Sequence, residues 1–336
     1  VTQTIHTLTS KLAHAIALPY HHPLLFATWG TFLVAGAVAF WLEYNAEKEA
    51  LSIRSFFQYC FPWHGWKTAS ARVDFCLYFL GKLTGKALAA GRLVFTGVLI
   101  YYLSRYLDRA WPQAVKAKGG ALVVVTLSVL FFVAVDFANY VTHFLEHKIP
   151  YLWEFHKVHH SAKFLSPLTT ARFHPFEKAF DDFAASILVG VIAAICRHYY
   201  SFSIAELLGM GAAANTVATL VVLDSLRHSQ FPVSFGPFDR LLVSPHMHQL
   251  HHSVKMDHWN RNMGNKLSIF DWIFHTAFKP VRGEKLDYGT GDVNDDDYET
   301  VLGCYTLPIV KNYRMWRGET QETAGSLQDI REIEAS

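Results

Sequence analysis

The sequence predicts an all-α fold: a multi-pass transmembrane helix bundle with a histidine-rich domain on its cytoplasmic side. Three observations carry that expectation. Of 336 residues, 51% are hydrophobic and only 17% charged, against about a quarter charged in ordinary soluble domains. Several stretches without a charge approach the roughly 20 residues that a helix needs to cross a bilayer. And 19 histidines include three groups whose spacing is that of one helix face.

In chain order, residues 1–22 are mixed and weakly amphipathic. Leu24 to Leu42 is uncharged and of spanning length, with Trp41 and Tyr44 where an interfacial aromatic belt belongs. Residues 43–74 are polar but rich in aromatics (Phe56, Phe57, Tyr59, Phe61, Trp63, Trp66), which suits either a segment at headgroup level or a plain loop. Leu88 to Leu107 is a second span, and the apolar run Phe75 to Leu80 can lengthen its helix. Gly120 to Tyr140 is the clearest span and runs without a break signal towards His143. Phe183 to Ile195 and Ile204 to Leu223 form an apolar hairpin, the first arm extendable through Phe176. A hairpin returns the chain to the side it left, so His228 comes back beside the earlier histidines. Leu267 to Phe278 is amphipathic, residues from Gly283 are polar, and the stretch from about Glu319 has the composition of a mobile tail. The expected organisation is an N-terminal membrane region at 1–119 with two spans and a histidine-rich domain at 120–280 with spans at 120–140, 183–195 and 204–223. A soluble C-terminal tail would occupy 281–336.

The chemistry resides in the histidines. His143 and His147 form an HxxxH; His156, His159 and His160, and again His248, His251 and His252, form an HxxHH. Single histidines such as His6, His14, His64 and His198 read as ordinary surface or core residues. A doubled HxxHH close to an HxxxH does not. Eight neighbouring imidazoles could not all be charged without strong repulsion, and neutral imidazole is the commonest metal ligand. With His228, and with His174 as a further candidate, the set exceeds one four-coordinate zinc site and suits two metals. There is no HExxH, and a bis-histidine haem would need facing residues inside the spans. Iron as a dinuclear pair is the best remaining choice. Asp136, Tyr140, His143 and His147 fall on one helix face. An Asp near the end of an apolar run is costly unless it serves a purpose, so Asp136 and Tyr140 are candidates to hold an imidazole. So are Glu154 and Asp224, the latter sharing a face with His228 if their helix is continuous.

Other classes fall away. A net charge of +2 with scattered basic residues gives no nucleic-acid stripe. Cys60, Cys76, Cys196 and Cys304 form no CxxC and indicate free thiols. No signal peptide is expected. Lysines and arginines on the histidine side place it in the cytoplasm, although Arg105, Arg109, Lys116 and Lys118 on the other side weaken that bias.

Residues 152–175 (LWEFHKVHHSAKFLSPLTTARFHP) and 244–253 (SPHMHQLHHS) resemble the fatty acid hydroxylase / sterol desaturase superfamily of membrane di-iron enzymes, a likeness covering roughly 120–280. The resemblance implies that the HxxxH and HxxHH histidines, with His228, bind two irons. His174 matches a histidine of the sterol-modifying branches. Ser229, Gln230 and Phe231 stand where relatives often place further histidines. The implied activity is O2-dependent hydroxylation of an unactivated C–H bond of a lipid (sterol, fatty acyl or related), with desaturation on the same site as the alternative. A non-catalytic metal-binding transporter or sensor is the reading from another class. It fits less well, because transporter sites lie near the membrane midplane. An enzyme of this kind resides in a bacterial inner membrane or endoplasmic reticulum and takes O2 as co-substrate. The chain shows neither a cytochrome b5-like His-Pro-Gly-Gly loop nor a nucleotide-binding GxGxxG after a strand. Electrons are therefore expected from a separate reductase chain, through a donor of cytochrome b5 or ferredoxin type, docking around Lys148, Lys157, Lys163 and Lys255.

Overall fold

The computed structural model describes residues 30, 32–34, 36–41, 52–112, 115–281, 283–291 and 295–319. The described residues are helical, with no strand beyond isolated bridges. Residues 1–22, most of the expected span at 24–42 and the expected mobile tail lie outside them. Within that span, Phe32–Trp41 is a short apolar helix.

Helix α1 (Ile53–Cys60) is capped by the Ser52 side chain. With one further turn at Trp63–Trp66, it leads into α2 (Ala69–Ala110), whose first turn is held by the Thr68 hydroxyl. At 42 residues, α2 is about 63 Å long, twice the apolar thickness of a bilayer. One helix thus absorbs both the expected span at 88–107 and the apolar run before it. Its N-terminal part stands beside the histidines, where Asp74 pairs with Arg172 at 2.8 Å.

Helix α3 (Ala121–Lys148) carries the third expected span and the HxxxH together. Pro150 then stops it. Proline lacks an N–H and forces the preceding residue out of the α region; Ile149 accordingly sits at φ −101°, ψ 113°. The proline next opens α4 (Pro150–His160), which bears the first HxxHH. This corner turns the two histidine-bearing helices to face each other.

Helix α5 (Pro175–Tyr199) starts with His174 as its cap and Pro175 in its first turn, and Glu177 closes a capping box. It packs along α2, and at Gly190 an added Cβ would meet Leu99 Cδ2 at 2.6 Å, so glycine sets the approach. Helix α6 (Ile204–Val221) returns, capped by Ser203 with Glu206. It ends where Leu223 takes φ +51° and a short 3-10 turn, Asp224–Leu226, follows. The continuous helix expected to align Asp224 with His228 is therefore broken. Helix α7 (Pro245–His251), capped by Ser244, presents the second HxxHH. Of the amphipathic stretch 267–278, only α8 (Ile269–Ile273) is helical. In the region expected to be a tail, α9 (Val301–Trp316) forms and packs on α4; Tyr298 and Cys304 cluster with Val158.

Four helices, α2, α3, α5 and α6, are long and apolar enough to cross a membrane. Away from the histidines, Ile100, Leu127, Phe131, Ala193, Cys196 and Leu207 form their common core. Val125, Val129, Val217 and Val221 point outward, exposed. An apolar exterior over an apolar core is what a lipid environment selects, and the four helices fit a membrane protein.

Candidate metal centre

Nine of the ten histidines singled out in the sequence converge, in two adjacent groups. His143, His147, His156, His160 and His251 form one; His159, His228, His248 and His252 form the other. Within each, the candidate ligand atoms lie within 4.8 Å of one another. Helical geometry explains how each HxxHH serves both. At about 100° per residue, positions i and i+4 lie about 40° apart, while i+3 falls about 60° to the other side of i. His156 and His160 accordingly enter the first group and His159 the second; His248 and His252 enter the second and His251 the first. The groups share a wall, with the His160 and His252 rings stacked at 4.5 Å between centroids.

Hydrogen bonds orient the rings. The Nδ1 of His143 lies 2.8 Å from the Met263 carbonyl, that of His251 2.8 Å from Arg261 O, and that of His159 3.0 Å from Arg172 O. A carbonyl can only accept, so each Nδ1 carries the proton and each Nε2 a lone pair. His156 Nδ1 faces Glu177 Oε1 at 2.9 Å and Glu146 Oε2 at 3.4 Å. His228 Nδ1 meets the Thr170 hydroxyl at 3.1 Å.

The Nε2 atoms then face one another. His143 to His156 is 3.1 Å, His160 to His156 3.1 Å, His159 to His228 3.1 Å, His228 to His248 2.8 Å, and His248 to His252 3.2 Å. Lone pairs so placed repel unless a cation lies between them. With metal–nitrogen bonds of about 2.1 Å, neighbouring ligands at right angles stand about 3 Å apart, which is the spacing found. The Nε2 atoms of His147 and His251 are buried and have no hydrogen-bond partner, as fits groups awaiting a ligand. Burial also pushes the pKa of His156, His160, His228, His248, His251 and His252 well below the ordinary value, and that of His159 down to about 3. Neutral rings are the ligating form. The donor set fits two cations that prefer imidazole.

His174 stands apart, and here the expectation is corrected. Its Nδ1 accepts from Phe176 N at 3.1 Å, so Nε2 carries the proton and donates to Tyr305 O at 3.2 Å. Both nitrogens are used, which makes it a helix cap with no lone pair left for a metal. The other polar candidates are corrected likewise. Asp136 accepts from the backbone N–H groups of Lys266 and Leu267, at 3.0 and 2.8 Å. Asp224 pairs with Arg227, and Glu154 with Lys157. Tyr140 acts at a distance. Thr276 donates to Asp271 at 2.7 Å, so the Tyr140 hydroxyl, 3.0 Å from Thr276, is the donor to it. Asp271 in turn accepts from Met263 N at 2.7 Å, and Met263 is the carbonyl that holds His143.

Sequence reasoning missed the groups that do touch the rings. Glu177 was visible only as the acid three residues after the cap His174. Glu146 sits between the two histidines of the HxxxH. Arg172 counted merely as a basic residue, yet it is fully buried. It donates to Val158 O at 2.9 Å, to Ser161 Oγ at 2.9 Å and to Tyr298 O at 2.9 Å. It thereby ties α2, α4 and the segment before α9 to the carbonyl that orients His159. The loop 261–263, which braces His251 and His143, carries no sequence signal beyond its turn residues.

The sequence is similar to that of known proteins. Residues 128–276 match the fatty acid hydroxylase family. An ornithine lipid hydroxylase of Rhizobium tropici is 30% identical over 193 residues, covering 57% of this chain and 51% of that protein. An alkylglycerol monooxygenase of Danio rerio is 26% identical over 160 residues, covering 48% and 32%. The chain thus spans about half the length of the first and a third of the second. No solved structure matches it. The matched residues include every histidine of the two clusters.

Proposed function

We propose that the protein is a membrane oxygenase that holds two irons and hydroxylates an unactivated C–H bond of a lipid. The observation that carries this reading is the pair of adjacent imidazole clusters with lone pairs turned inward. His143, His147, His156, His160 and His251 would hold one iron, and His159, His228, His248 and His252 the other. Bound iron would supply the redox chemistry needed to activate O2. The balance is RH + O2 + 2 e⁻ + 2 H⁺ → ROH + H2O.

The chain's own residues keep the rings neutral by burying them, fix the tautomers of His143, His159 and His251 through backbone carbonyls and place both clusters at the end of an apolar bundle. The names of the two relatives, for an ornithine lipid and an alkylglycerol, favour a bilayer lipid as substrate and hydroxylation over desaturation. The bias of basic residues supports a cytoplasmic site. The two electrons would come from a separate donor of cytochrome b5 or ferredoxin type. Of the lysines expected to receive it, Lys157, Lys163 and Lys255 are held in ion pairs with Glu154, Asp296 and Glu284.

The test is metal analysis with product analysis. Purified chain loaded with iron should hold about two irons. With O2 and a reducing donor it should add one oxygen atom to a lipid, read by mass spectrometry. Zinc as the retained metal, with no O2 uptake after iron loading, would overturn the proposal.

A further inference from the structure

Helix α9 lies beyond the residues that match the family, and both of its sides are apolar. At about 100° per residue, Leu302, Thr306, Ile309, Tyr313 and Trp316 fall within about 80° of one another, opposite the buried Cys304 and Pro308. Leu302 is 72% exposed and Trp316 74%; Ile309, Val310 and Tyr313 are exposed between them. The other side is fixed to the protein. Cys304 packs with Val158, Tyr305 O accepts from His174, and Asn312 Nδ2 donates to Tyr151 O at 3.0 Å. A contiguous apolar stripe left outside marks a surface for a membrane or a partner. Two observations point to a lipid surface. The first is place. Tyr151 sits at the α3–α4 corner, three residues past Lys148, where α3 ends. Ile149 and Tyr151 at that corner and Phe176 in the first turn of α5 are exposed as well. The stripe therefore runs on into apolar surface at the level where two of the long helices end. The second is charge. Lys148, Arg314 and Arg317 are exposed at this end of α9, against one carboxylate, Glu319, 3.1 Å from Arg317. A basic edge beside Tyr and Trp is the composition of a helix lying at anionic headgroups.

We propose that α9 is an interfacial helix, whose outer stripe of Leu302, Ile309, Tyr313 and Trp316 enters the headgroup layer of an anionic bilayer. Such helices bury their apolar side about 5–10 Å deep. The inference rests on α2, α3, α5 and α6 crossing that bilayer and is independent of which metals the histidines hold. It gives the metal domain a second attachment to the membrane besides its spans. The attachment leads back to the site, because Arg172, whose carbonyl orients His159, donates to Tyr298 O just before α9.

The test is a nitroxide label read by EPR in the full chain, reconstituted in phosphatidylcholine vesicles with and without phosphatidylglycerol. The label is placed at Ile309→Cys, and at Leu302→Cys should the first variant fail to fold. Cys76→Ser is the background, since Cys76 is exposed and Cys60, Cys196 and Cys304 are buried. Labels at Val217→Cys, on the exposed surface of α6, and at Lys285→Cys, an exposed polar position, mark lipid and water. Collision with O2, relative to a water-soluble nickel chelate, should be several-fold higher at 309 than at 285. Omitting phosphatidylglycerol, or combining Arg314→Glu with Arg317→Glu, should lower that ratio several-fold. A label at 309 as open to nickel as the one at 285 would overturn the proposal. So would a label shielded from both reagents whose spin–spin broadening vanishes on dilution with unlabelled protein, because a second copy would then cover the stripe. A ratio indifferent to phosphatidylglycerol and to the charge reversal would overturn the anionic surface as the partner. Nickel access at 217 would overturn the membrane reading of the long helices, and this inference with it.

Discussion

Both ends of the helix bundle bury histidine, and they use it in opposite ways. At the far end, His198 Nδ1 lies 2.8 Å from Asp108 Oδ1. Lys116 reaches the same carboxylate at 3.0 Å and also donates to Arg197 O at 2.8 Å. There the ring is one partner in a local polar knot. At the near end, the Nδ1–H groups of His143, His159 and His251 are spent on backbone carbonyls and that of His156 faces a carboxylate, and the candidate ligand atoms of the nine rings gather in two groups. The lesson is that burial of a histidine says little by itself. What the outward nitrogen is bonded to decides whether the inward one is available to a cation.

The sharpest way to break this comparison is to remove rings one at a time. His159→Ala, His160→Ala, His251→Ala or His252→Ala should abolish lipid hydroxylation and lower bound iron, because each loss leaves a metal short of a ligand. His198→Ala should retain both. Turnover together with iron per chain checks it, and full activity in His160→Ala would remove the first HxxHH from the site.

Next in size is the response to stripping the metal. A ligand that binds only the folded state stabilises it by about 2.7 kcal/mol at a hundred times its Kd, so chelation should lower the melting temperature markedly. Acid should deepen the loss. Burial pushes the His159 imidazole down to about 3, and the neighbouring rings of both clusters outside the spans are also pushed down, against about 6.5 in an unfolded chain. Below about pH 6.5 the unfolded state takes up protons that the metal-free fold refuses, so stability falls as pH falls towards 3. Melting of chelated protein at pH 7.5 and 5.5 reads this out. A chelated form that is more stable at 5.5 would contradict it.

A smaller effect is expected from the groups that orient rings. Glu177→Ala removes the acceptor of His156 Nδ1 and should cost about 10–100-fold in metal affinity or activity; Glu177→Gln, which still offers an oxygen, should recover part of the affinity. Asp136→Ala should act more indirectly. It frees the backbone at Lys266 and Leu267, and with it the segment that carries the Met263 carbonyl to His143. Iron titration separates the two. The expected order is a larger affinity loss for Glu177→Ala than for Asp136→Ala, and the reverse order would make the Met263 segment the stronger brace.

The near end was legible in the sequence to the extent that its chemistry is periodic. An HxxHH at helical spacing announces its own geometry, and the apolar runs announced the helices on which it rides. His228 followed from the hairpin, because an odd number of further crossings would have carried it away. What was not legible has no period. The carbonyls of Met263, Arg261 and Arg172 are backbone atoms, identical at every residue. Arg172 looks like any surface arginine until Asp74, 98 positions away, is folded against it. His174 misled for the converse reason: its residue type matched a ligand, while its place before Pro175 made it a cap. Asp136 lay on the face of His143, yet its carboxylate found two backbone N–H groups first.

The smallest effect tests the far end directly. Asp108→Ala deletes a carboxylate that is well exposed, with 39% of its side chain accessible. Exposed pairs contribute about 0–1 kcal/mol, and Lys116 keeps its bond to Arg197 O. His198, buried behind it, would lose the acceptor of its Nδ1, which adds a modest desolvation cost. The net expectation is a loss of about 1 kcal/mol in detergent unfolding, with iron content and turnover unchanged. This follows from distance as well as from chemistry, since the apolar core of Ile100, Leu127, Phe131 and Ala193 lies between this knot and the clusters, and apolar packing carries no charge signal. If Asp108→Ala instead halved bound iron, the two ends would be coupled through α2 and α5, and the contrast drawn between them would fail.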